Sequence, residues 1–313
     1  MKKKSAVTRR TLPAANDRRA RITGIALMCL ALICFCVLDT SAKWLNHHIS
    51  TVEVMWARYA GAFGLSLIFV NPWTTPGLLS TQRPWLQVFR ALLLVGSSIT
   101  NFTALRYLQL DQTSAIMFAT PLFVALCGGP LLGEWIGPRR WAAVLFGFAG
   151  VLLVTRPGVG GIHPAAILSV IGAICYALYN LTTRILASYD STNTSVFYTS
   201  FVGFVVSSLP LPWFWTSPGE PLVISAMVWV GALGWIGHLF LTMAHRRAPA
   251  AILAPFIYTQ ILWMIVAGYV VFGDVPNHWT LAGVAVVVCA GLYLLYRERQ
   301  MKADDSLKAQ TGE

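Results

Sequence analysis

The stretch at residues 33–43 (ICFCVLDTSAK) returns later in the chain at residues 174–184 as ICYALYNLTTR, and this recurrence decides the fold. The two stretches align at an offset of 141 residues, and nearly the same offset holds well beyond them. It pairs Gly61 with Gly203, Ala104 with Ala244, Glu134 with Asp274, and Ala149-Gly150 with Ala290-Gly291. Because a chance match would not keep its register over such a length, the chain contains two copies of one unit.

The composition indicates that both copies are surrounded by lipid. Of the 313 residues, 56% are apolar and only 11% are charged, which leaves too few polar side chains to cover a water-soluble fold. An apolar run of about 20 residues crosses the roughly 30 Å hydrocarbon core of a bilayer. Ten such runs are found, at residues 22–46, 50–71, 85–105, 112–132, 139–156, 163–186, 193–212, 222–244, 250–272 and 278–296. The sequence therefore predicts an all-α membrane protein of ten transmembrane helices.

Each copy contains an odd number of these runs, so the two copies must cross the membrane in opposite senses. Five runs fall in the first repeat, 22–156, and five in the second, 163–296, flanked by a basic tail at 1–21 and a second tail at 297–313. With the N-terminus inside, eighteen Lys and Arg residues lie on the inner side and two on the outer side. This bias follows the positive-inside rule and predicts a multi-pass inner-membrane protein of two inverted repeats with both termini cytoplasmic.

Several motifs recur in both copies and carry a family resemblance. They are Pro121, Gly133-Glu134, Gly147 and Gly150 in the first copy, and Tyr258-Thr259-Gln260, Gly273-Asp274, Gly283 and Gly291 in the second. With them the chain resembles the EamA branch of the drug/metabolite transporter superfamily over residues 22–299. The resemblance implies a secondary transporter that carries a small metabolite by alternating access. One departure is Ile261 at the position of Pro121, which leaves the role of a helix break in the ninth span open.

Four ionisable side chains lie inside the predicted spans: Asp39, Lys43, Arg58 and Arg90. Such groups cost a few kcal/mol each at the bilayer centre, so they need a partner, a wet cavity or a function. Asp39 and Arg58 lie at matching depths, about 10 Å from the outer ends of their helices, and can form an ion pair. Lys43 lies one turn from Asp39 on the same helix face. The group is either a structural clamp or a site where a cation meets an anionic or carbonyl group of the substrate.

Asn180 and Ser200 take the positions of Asp39 and Arg58 in the second copy, so the charge pair is one-sided. His238 is either a buried imidazole with satisfied hydrogen bonds or a ligand or proton carrier. Glu134 and Asp274 lie at predicted helix ends, where capping or loop contacts are expected rather than transport chemistry.

Aromatic and amide side chains in the ninth span supply the remaining candidates for the substrate site. Tyr258 and Trp263 either pack as ordinary core or line a slot for a planar ligand. Gln260 can hydrogen-bond a neighbouring helix or the substrate, and Pro255 removes a backbone donor nearby. This segment is the predicted binding wall of the second copy.

The same residues argue against most other functions. The sequence has no His-Glu-x-x-His zinc motif, Gly-x-Ser-x-Gly elbow or nucleotide-binding loop, so no enzyme is predicted. The six cysteines lie in apolar runs and behave as small hydrophobic residues, so no metal or cofactor is expected. The cations lie in a tail and short loops, and this excludes nucleic acid as a partner. A channel-like facilitator, a receptor and a homodimer remain open alternatives.

The substrate class is predicted from the aromatic and cationic content of the spans and from the family resemblance. Both favour uptake of riboflavin or another planar heteroaromatic metabolite, since motifs such as residues 39–43 and 255–260 resemble those of riboflavin-transporting members. The alternative is export of an amino acid, a metallophore or a related metabolite, in which Arg58 or Lys43 would bind a carboxylate.

Overall fold

The computed structural model describes residues 18–73, 75–132, 137–155, 163–186, 189–248, 253 and 256–311, and within these the regular structure is helical. The helices are α1 (Arg18–Leu45), α2 (Thr51–Phe69), α3 (Pro84–Leu105), α4 (Leu110–Met117), α5 (Thr120–Leu132), α6 (Pro138–Thr155), α7 (Ala166–Leu186), α8 (Thr192–Ser208), α9 (Leu211–Phe214), α10 (Pro221–Arg247), α11 (Gln260–Ala267) and α12 (His278–Thr311). A π-helical turn, Gly268–Phe272, extends α11. The predicted all-α fold is confirmed. Glu134 and Pro255 lie outside the described residues.

Local signals in the sequence fix where several of these helices begin. Ser50 and Glu53 form a capping box at the start of α2, in which each side chain accepts a hydrogen bond from the other residue's backbone N–H. Ser191 caps α8 in a similar way through the backbone N–H of Thr194. Pro84 and Pro221 stand at the starts of α3 and α10, where the missing N–H of proline costs nothing.

Only part of the predicted span count is visible in the described residues. Six helical stretches there are long and apolar enough to cross a membrane, with Leu110–Gly128 of α4 and α5 counted as one, and three shorter apolar helices accompany them. The count of ten is therefore not confirmed by length and composition. Helix α8 has 17 residues, and the last helix runs on to Thr311, well past the predicted end of its span.

Corresponding helices of the two copies are interrupted at the same place. The fourth run is broken at Phe118-Ala119, between α4 and α5, and a turn at Tyr258-Thr259, 140 residues later, precedes α11. Near each break a threonine hydroxyl bonds a carbonyl three residues back: Thr120 to Met117 at 2.6 Å and Thr259 to Phe256 at 2.7 Å. The second copy thus keeps the break without the proline, because a side-chain hydroxyl competes for the backbone acceptor.

The contacts between helices stay the same when each helix is replaced by its counterpart in the other copy. In chain order, α1, α2, α3, α4–α5 and α6 correspond to α7, α8, α10, α11 and α12. Helix α1 packs on α10 as α7 packs on α3, α2 contacts α10 as α8 contacts α3, and α5 contacts α7 as α11 contacts α1. Helices α6 and α12 pack on each other. Every one of these contacts has its counterpart after the copies are exchanged, which is the arrangement expected of a two-fold repeat.

Helices α2 and α10 approach closely through a pair of glycines, Gly61 and Gly231. A Cβ atom on Gly61 would lie 2.6 Å from the Cα of Gly231, and one on Gly231 would lie 2.7 Å from the Cα of Gly61. Only two residues without side chains permit this contact, as in other close helix crossings in membranes. The crossing places Arg58, one turn earlier on α2, beside Gly234 of α10, with 3.7 Å between the Arg58 Cγ and a Cβ built at Gly234.

Candidate functional site

Arg58 is held between α2 and α3 by a serine. Its Nη1 donates to Ser98 Oγ at 2.8 Å, and Ser98 in turn donates to the Leu94 carbonyl at 2.8 Å. The Tyr59 hydroxyl lies 3.1 Å from the same Oγ and acts as donor there, since the serine proton is already committed. The guanidinium also lies 5.5 Å from the Tyr59 ring and 5.4 Å from the Phe102 ring. These contacts fix the guanidinium without neutralising it.

The second copy contributes aromatic rings and an imidazole around this cation. Tyr176 and Tyr179 of α7 stack with centroids 5.7 Å apart and an interplanar angle of 18°. His238 of α10 meets Phe35 of α1 edge-on at 5.1 Å. The Arg58 charge acts electrostatically on both Tyr176 and His238. We call Arg58, Ser98, Tyr176, Tyr179 and His238 the central cluster.

Asp39 lies beside this cluster but does not touch Arg58. The two charges interact through space, yet the one contact ion pair among the described residues joins Lys43 to Asp274. The predicted Asp39–Arg58 contact pair is therefore not formed, and the Arg58 Nη1 donates to Ser98 instead. Asp39 is half-buried.

Lys43 pairs with the second copy rather than with Asp39. Its Nζ donates to Asp274 Oδ2 at 2.6 Å and lies 4.5 Å from the Phe272 ring centroid. Asp274 lies directly after the π-helical turn, at a helix end as predicted, but Gly273 is the C-cap and the Asp274 side chain binds Lys43. Sequence reasoning missed this pair because 231 residues separate its members. The sequence did contain a signal for it. In the repeat register Lys43 aligns with Arg184 and Glu134 aligns with Asp274, so each copy carries a cation and a carboxylate at corresponding positions.

Arg90 lies about 18 Å along α3 from Phe102, toward the opposite end of the bundle. It is 2% exposed and touches only neutral groups among the described residues. Its guanidinium donates to four oxygens of α7 and α8: Tyr179 Oη, Thr183 Oγ1, the Ser195 carbonyl and Thr199 Oγ1. Arg90 thus ties the first copy to the second, and Tyr179 connects it with the central cluster.

A carboxylate network at this same end was not anticipated from the sequence. Asp190 accepts hydrogen bonds from the Thr81 hydroxyl, the Gln87 amide and the backbone N–H of Gln82. Burial alone would raise the pKa of Asp190, but these hydrogen bonds outweigh it and lower the pKa below the usual value. Asp190 lies in the loop between α7 and α8, so this network fixes the α2–α3 loop against it.

The remaining candidates make contacts outside the central cluster or at its edge. Asn180 donates to the Tyr176 carbonyl at 2.8 Å, on the helix that carries the tyrosine stack. Tyr258 packs edge-on against Phe118 at 5.5 Å, and its hydroxyl fills the space beside Gly291 of α12. These contacts direct Tyr258 toward α12 and not toward Arg58. Trp263 is 43% exposed on the helix surface, and Gln260 is half-buried at the start of α11.

Comparison with known proteins agrees with this architecture. The EamA-like transporter family matches twice, at residues 22–156 and 163–297. An S-adenosylmethionine uptake transporter of Rickettsia felis is 25% identical over 286 residues, covering 91% of this chain and 97% of that protein. A riboflavin transporter of Rhizobium johnstonii is 28% identical over 290 residues, with coverage of 91% and 94%, and one of Vibrio cholerae is 25% identical over 276 residues, with coverage of 87% and 93%.

A solved crystal structure with 17% sequence identity superposes with a TM-score of 0.62, covering 90% of this chain and 98% of the other, and shows a shared fold. The two family matches together span most of the sequence, and the relatives are named as transporters along almost their whole length. The chain belongs to the EamA-like transporter family and is a multi-pass membrane transporter of a small metabolite, not an enzyme.

Proposed function

We propose that this protein takes up riboflavin, or another planar heteroaromatic metabolite, across the inner membrane by alternating access. Ten spans in two inverted five-helix repeats would place one site near the midplane, accessible from either side in turn. The exchange-related packing of the two copies and the helix break kept in both support this arrangement. The central cluster, built from both copies, is the proposed substrate site.

The observation that carries the substrate class is the Arg58 guanidinium, which Ser98 fixes without a contact counter-ion and whose charge acts on Tyr176 of the stacked tyrosine pair. A flavin ring offers carbonyl oxygens that accept hydrogen bonds from a guanidinium and a flat face that stacks on an aromatic ring. Each stacked pair contributes about 0.5–1.5 kcal/mol beyond burial, so the rings favour planar ligands without fixing one.

The charge at the site separates the two substrates named for the relatives. Both contain a planar heteroaromatic ring and a group with several hydroxyls, but S-adenosylmethionine carries a net positive charge and riboflavin is neutral. Arg58 repels a cation, and Asp39 offsets that repulsion only in part because it makes no contact with Arg58. The cluster therefore favours the neutral flavin.

Riboflavin binding to the purified protein tests this assignment, and quenching of riboflavin fluorescence measures the binding. We expect saturable quenching that Arg58→Gln weakens at least tenfold in Kd. Arg106→Gln serves as the matched control, because Arg106 is exposed at the end of α3, and should bind as the unmodified protein does. An excess of S-adenosylmethionine should not compete. Tight binding of S-adenosylmethionine without riboflavin quenching would reverse the assignment.

Uptake is tested in a riboflavin auxotroph that lacks its own importer. Expression should restore growth on low external riboflavin, and flux in reconstituted vesicles should saturate and be competed by unlabelled substrate. Flux that rises linearly with concentration would indicate a channel-like facilitator. Absence of growth, with the protein shown to be in the membrane, would remove the flavin assignment and leave only the family-level one.

A further inference from the structure

Six helices at the centre of the molecule form two groups, and each group contains helices of both copies. In group A, α10 packs on α1 and α2, and in group B, α3 packs on α7 and α8. Contact between the groups comes mainly from α2 against α8, with smaller contributions from α3 against α1 and α2. Parting the two groups therefore requires only these contacts to break.

Hydrogen bonds join the groups at the end of the bundle where α1 ends and α2 begins. Directly after α1, Asn46 Nδ2 donates to the Phe102 carbonyl of α3 at 2.7 Å, and both residues are buried. On α2, Trp56 Nε1 donates at 3.1 Å to Ser208 Oγ, at the end of α8. A bond that is shielded from water, such as the first, is stronger than the same bond in solvent.

Two further bonds between the groups lie deeper in the same half of the bundle. Arg58 and Tyr59 of α2 both donate to Ser98 Oγ of α3, at 2.8 and 3.1 Å. Arg58 lies seven residues from the start of α2 and Ser98 seven residues from the end of α3. Both are therefore about 10 Å from this end. In the part of the chain that the structure describes, all four donors belong to group A and all acceptors to group B.

The opposite half of the bundle has a different kind of contact between the groups. Its polar side chains bind inside group B, since Arg90 donates to α7 and α8 and Asp190 accepts from the segment that leads into α3. Between the groups, Phe63 of α2 lies 5.9 Å from the Phe197 ring and 5.6 Å from the Phe201 ring of α8. Such ring contacts are less directional than hydrogen bonds, so this half is held together less specifically.

The repeat shows that the bonded half lacks an equivalent at the other end. Ser66 of α2 is the counterpart of Ser208, at the same offset that pairs Gly61 with Gly203. Ser66 is buried, and its Oγ has no hydrogen-bond partner among the described residues. Two inverted copies would form equivalent bonds at both ends if both ends were closed in the same way. Only the end with Asn46 is therefore closed by this set of bonds.

We propose that these four bonds form the gate on one side of the transporter, closed in this structure, and that the gate opens by parting group A from group B. The gate is part of the alternating access of the proposed function, on which this inference rests. With the predicted cytoplasmic N-terminus, the gate faces the periplasm. It includes Ser98 of the central cluster, so opening also releases Arg58 and leaves all its N–H groups for the substrate.

Distances between spin labels on purified, ligand-free protein test the gate, in a background with the six cysteines replaced by alanine. Labels at the exposed positions His47 and Arg106, after α1 and after α3, measure across the groups at this end. Labels at His47 and Glu220, before α10, measure within group A. Asn46→Ala combined with Trp56→Phe removes two gate bonds without altering the central cluster. The distance across the groups should lengthen by about 5 Å or more, while the distance within group A stays the same.

A second variant and a matched control make the outcome specific. Ser98→Ala removes the other two bonds and should lengthen the His47–Arg106 distance in the same way. Thr216→Val removes hydroxyl bonds to Glu53 at this end, within group A and the loop that leads into α10, and should change neither distance. An unchanged His47–Arg106 distance in both gate variants overturns the gate. Equal lengthening in Thr216→Val, or within group A, also overturns it, because it indicates general loosening of this end. No substrate is added, so a failure of riboflavin binding leaves this result unaffected.

Discussion

Replacing Arg90 tests how a buried charge is maintained without a contact counter-ion. The four hydrogen bonds that its guanidinium donates are each worth about 1.5–3 kcal/mol when one partner is charged, roughly 6–12 kcal/mol in all. Against them stands a desolvation penalty of several kcal/mol for the buried ion. The two contributions nearly balance. The effect of a substitution on stability therefore depends on whether the charge and the hydrogen bonds are lost together.

Arg90→Lys keeps the charge but loses the planar fork, and a lysine amine cannot reach all four oxygens. Losing two of the bonds costs about 3–6 kcal/mol. A buried lysine can limit this cost only by releasing its proton, which itself costs about 1.4 kcal/mol for each unit by which its ordinary pKa exceeds the pH. Arg90→Met removes charge and penalty together. Thr183 and Thr199 keep their own backbone acceptors, at 2.7 and 2.8 Å, so few groups are left unpaired. The cost of Arg90→Met should be about 1–2 kcal/mol.

The chemically conservative change should therefore be the more damaging one, by about 2 kcal/mol, or roughly thirtyfold in the unfolding equilibrium. Reversible unfolding in mixed detergent–SDS micelles, followed by tryptophan fluorescence, measures both variants against the unmodified protein. Arg106→Lys, at an exposed position, controls for a general effect of the exchange. If Arg90→Lys proves as stable as Arg90→Met or more stable, a group other than these four oxygens stabilises the charge at this position.

Three further results are expected. Gly61→Ala should destabilise the protein by about 2–4 kcal/mol in the same unfolding assay, because its Cβ would meet the backbone of Gly231 at 2.6 Å, whereas Gly64→Ala, with open space around it, should be neutral. Hydrogen bonds lower the folded-state pKa of Asp190, so the stability that they provide is present at neutral pH and is lost as the pH falls through that pKa. Asp190→Asn should therefore make the unfolding midpoint less dependent on pH in the acid range. A phosphatase reporter fused after Glu313 should be inactive, as a cytoplasmic C-terminus requires, and periplasmic activity would contradict the topology.

The large features of the fold were predictable because they repeat along the sequence. Apolar runs and a constant offset specify helices and two copies without knowledge of any contact. The helix break in the second copy escaped this reasoning, which relied on the proline at position 121 and found Ile261 in its place. The hydroxyls of Thr120 and Thr259 mark both breaks, but a threonine in an apolar run is too common to indicate one by itself.

The site was predicted less well because it depends on the rotation of helices about their axes. Depth along a span placed Asp39 and Arg58 at one level, yet depth does not say which neighbour a side chain faces. In the structure the Arg58 guanidinium donates a hydrogen bond to Ser98 and forms no ion pair with Asp39. The same holds for Tyr258. An aromatic ring with a hydroxyl is suited to binding a planar ligand, but the rotation of its helix directs Tyr258 toward Gly291.

The central cluster lies where the two copies differ, and this follows from what each copy must do. Symmetric residues can satisfy symmetric tasks, such as the helix breaks that both copies keep. A metabolite has no two-fold symmetry, so groups that bind its different ends cannot both be repeated. Asp39 and Arg58 align with Asn180 and Ser200 in the repeat register, so the two copies differ at these positions. Departures from the repeat among buried polar positions are therefore the places where substrate selection is expected.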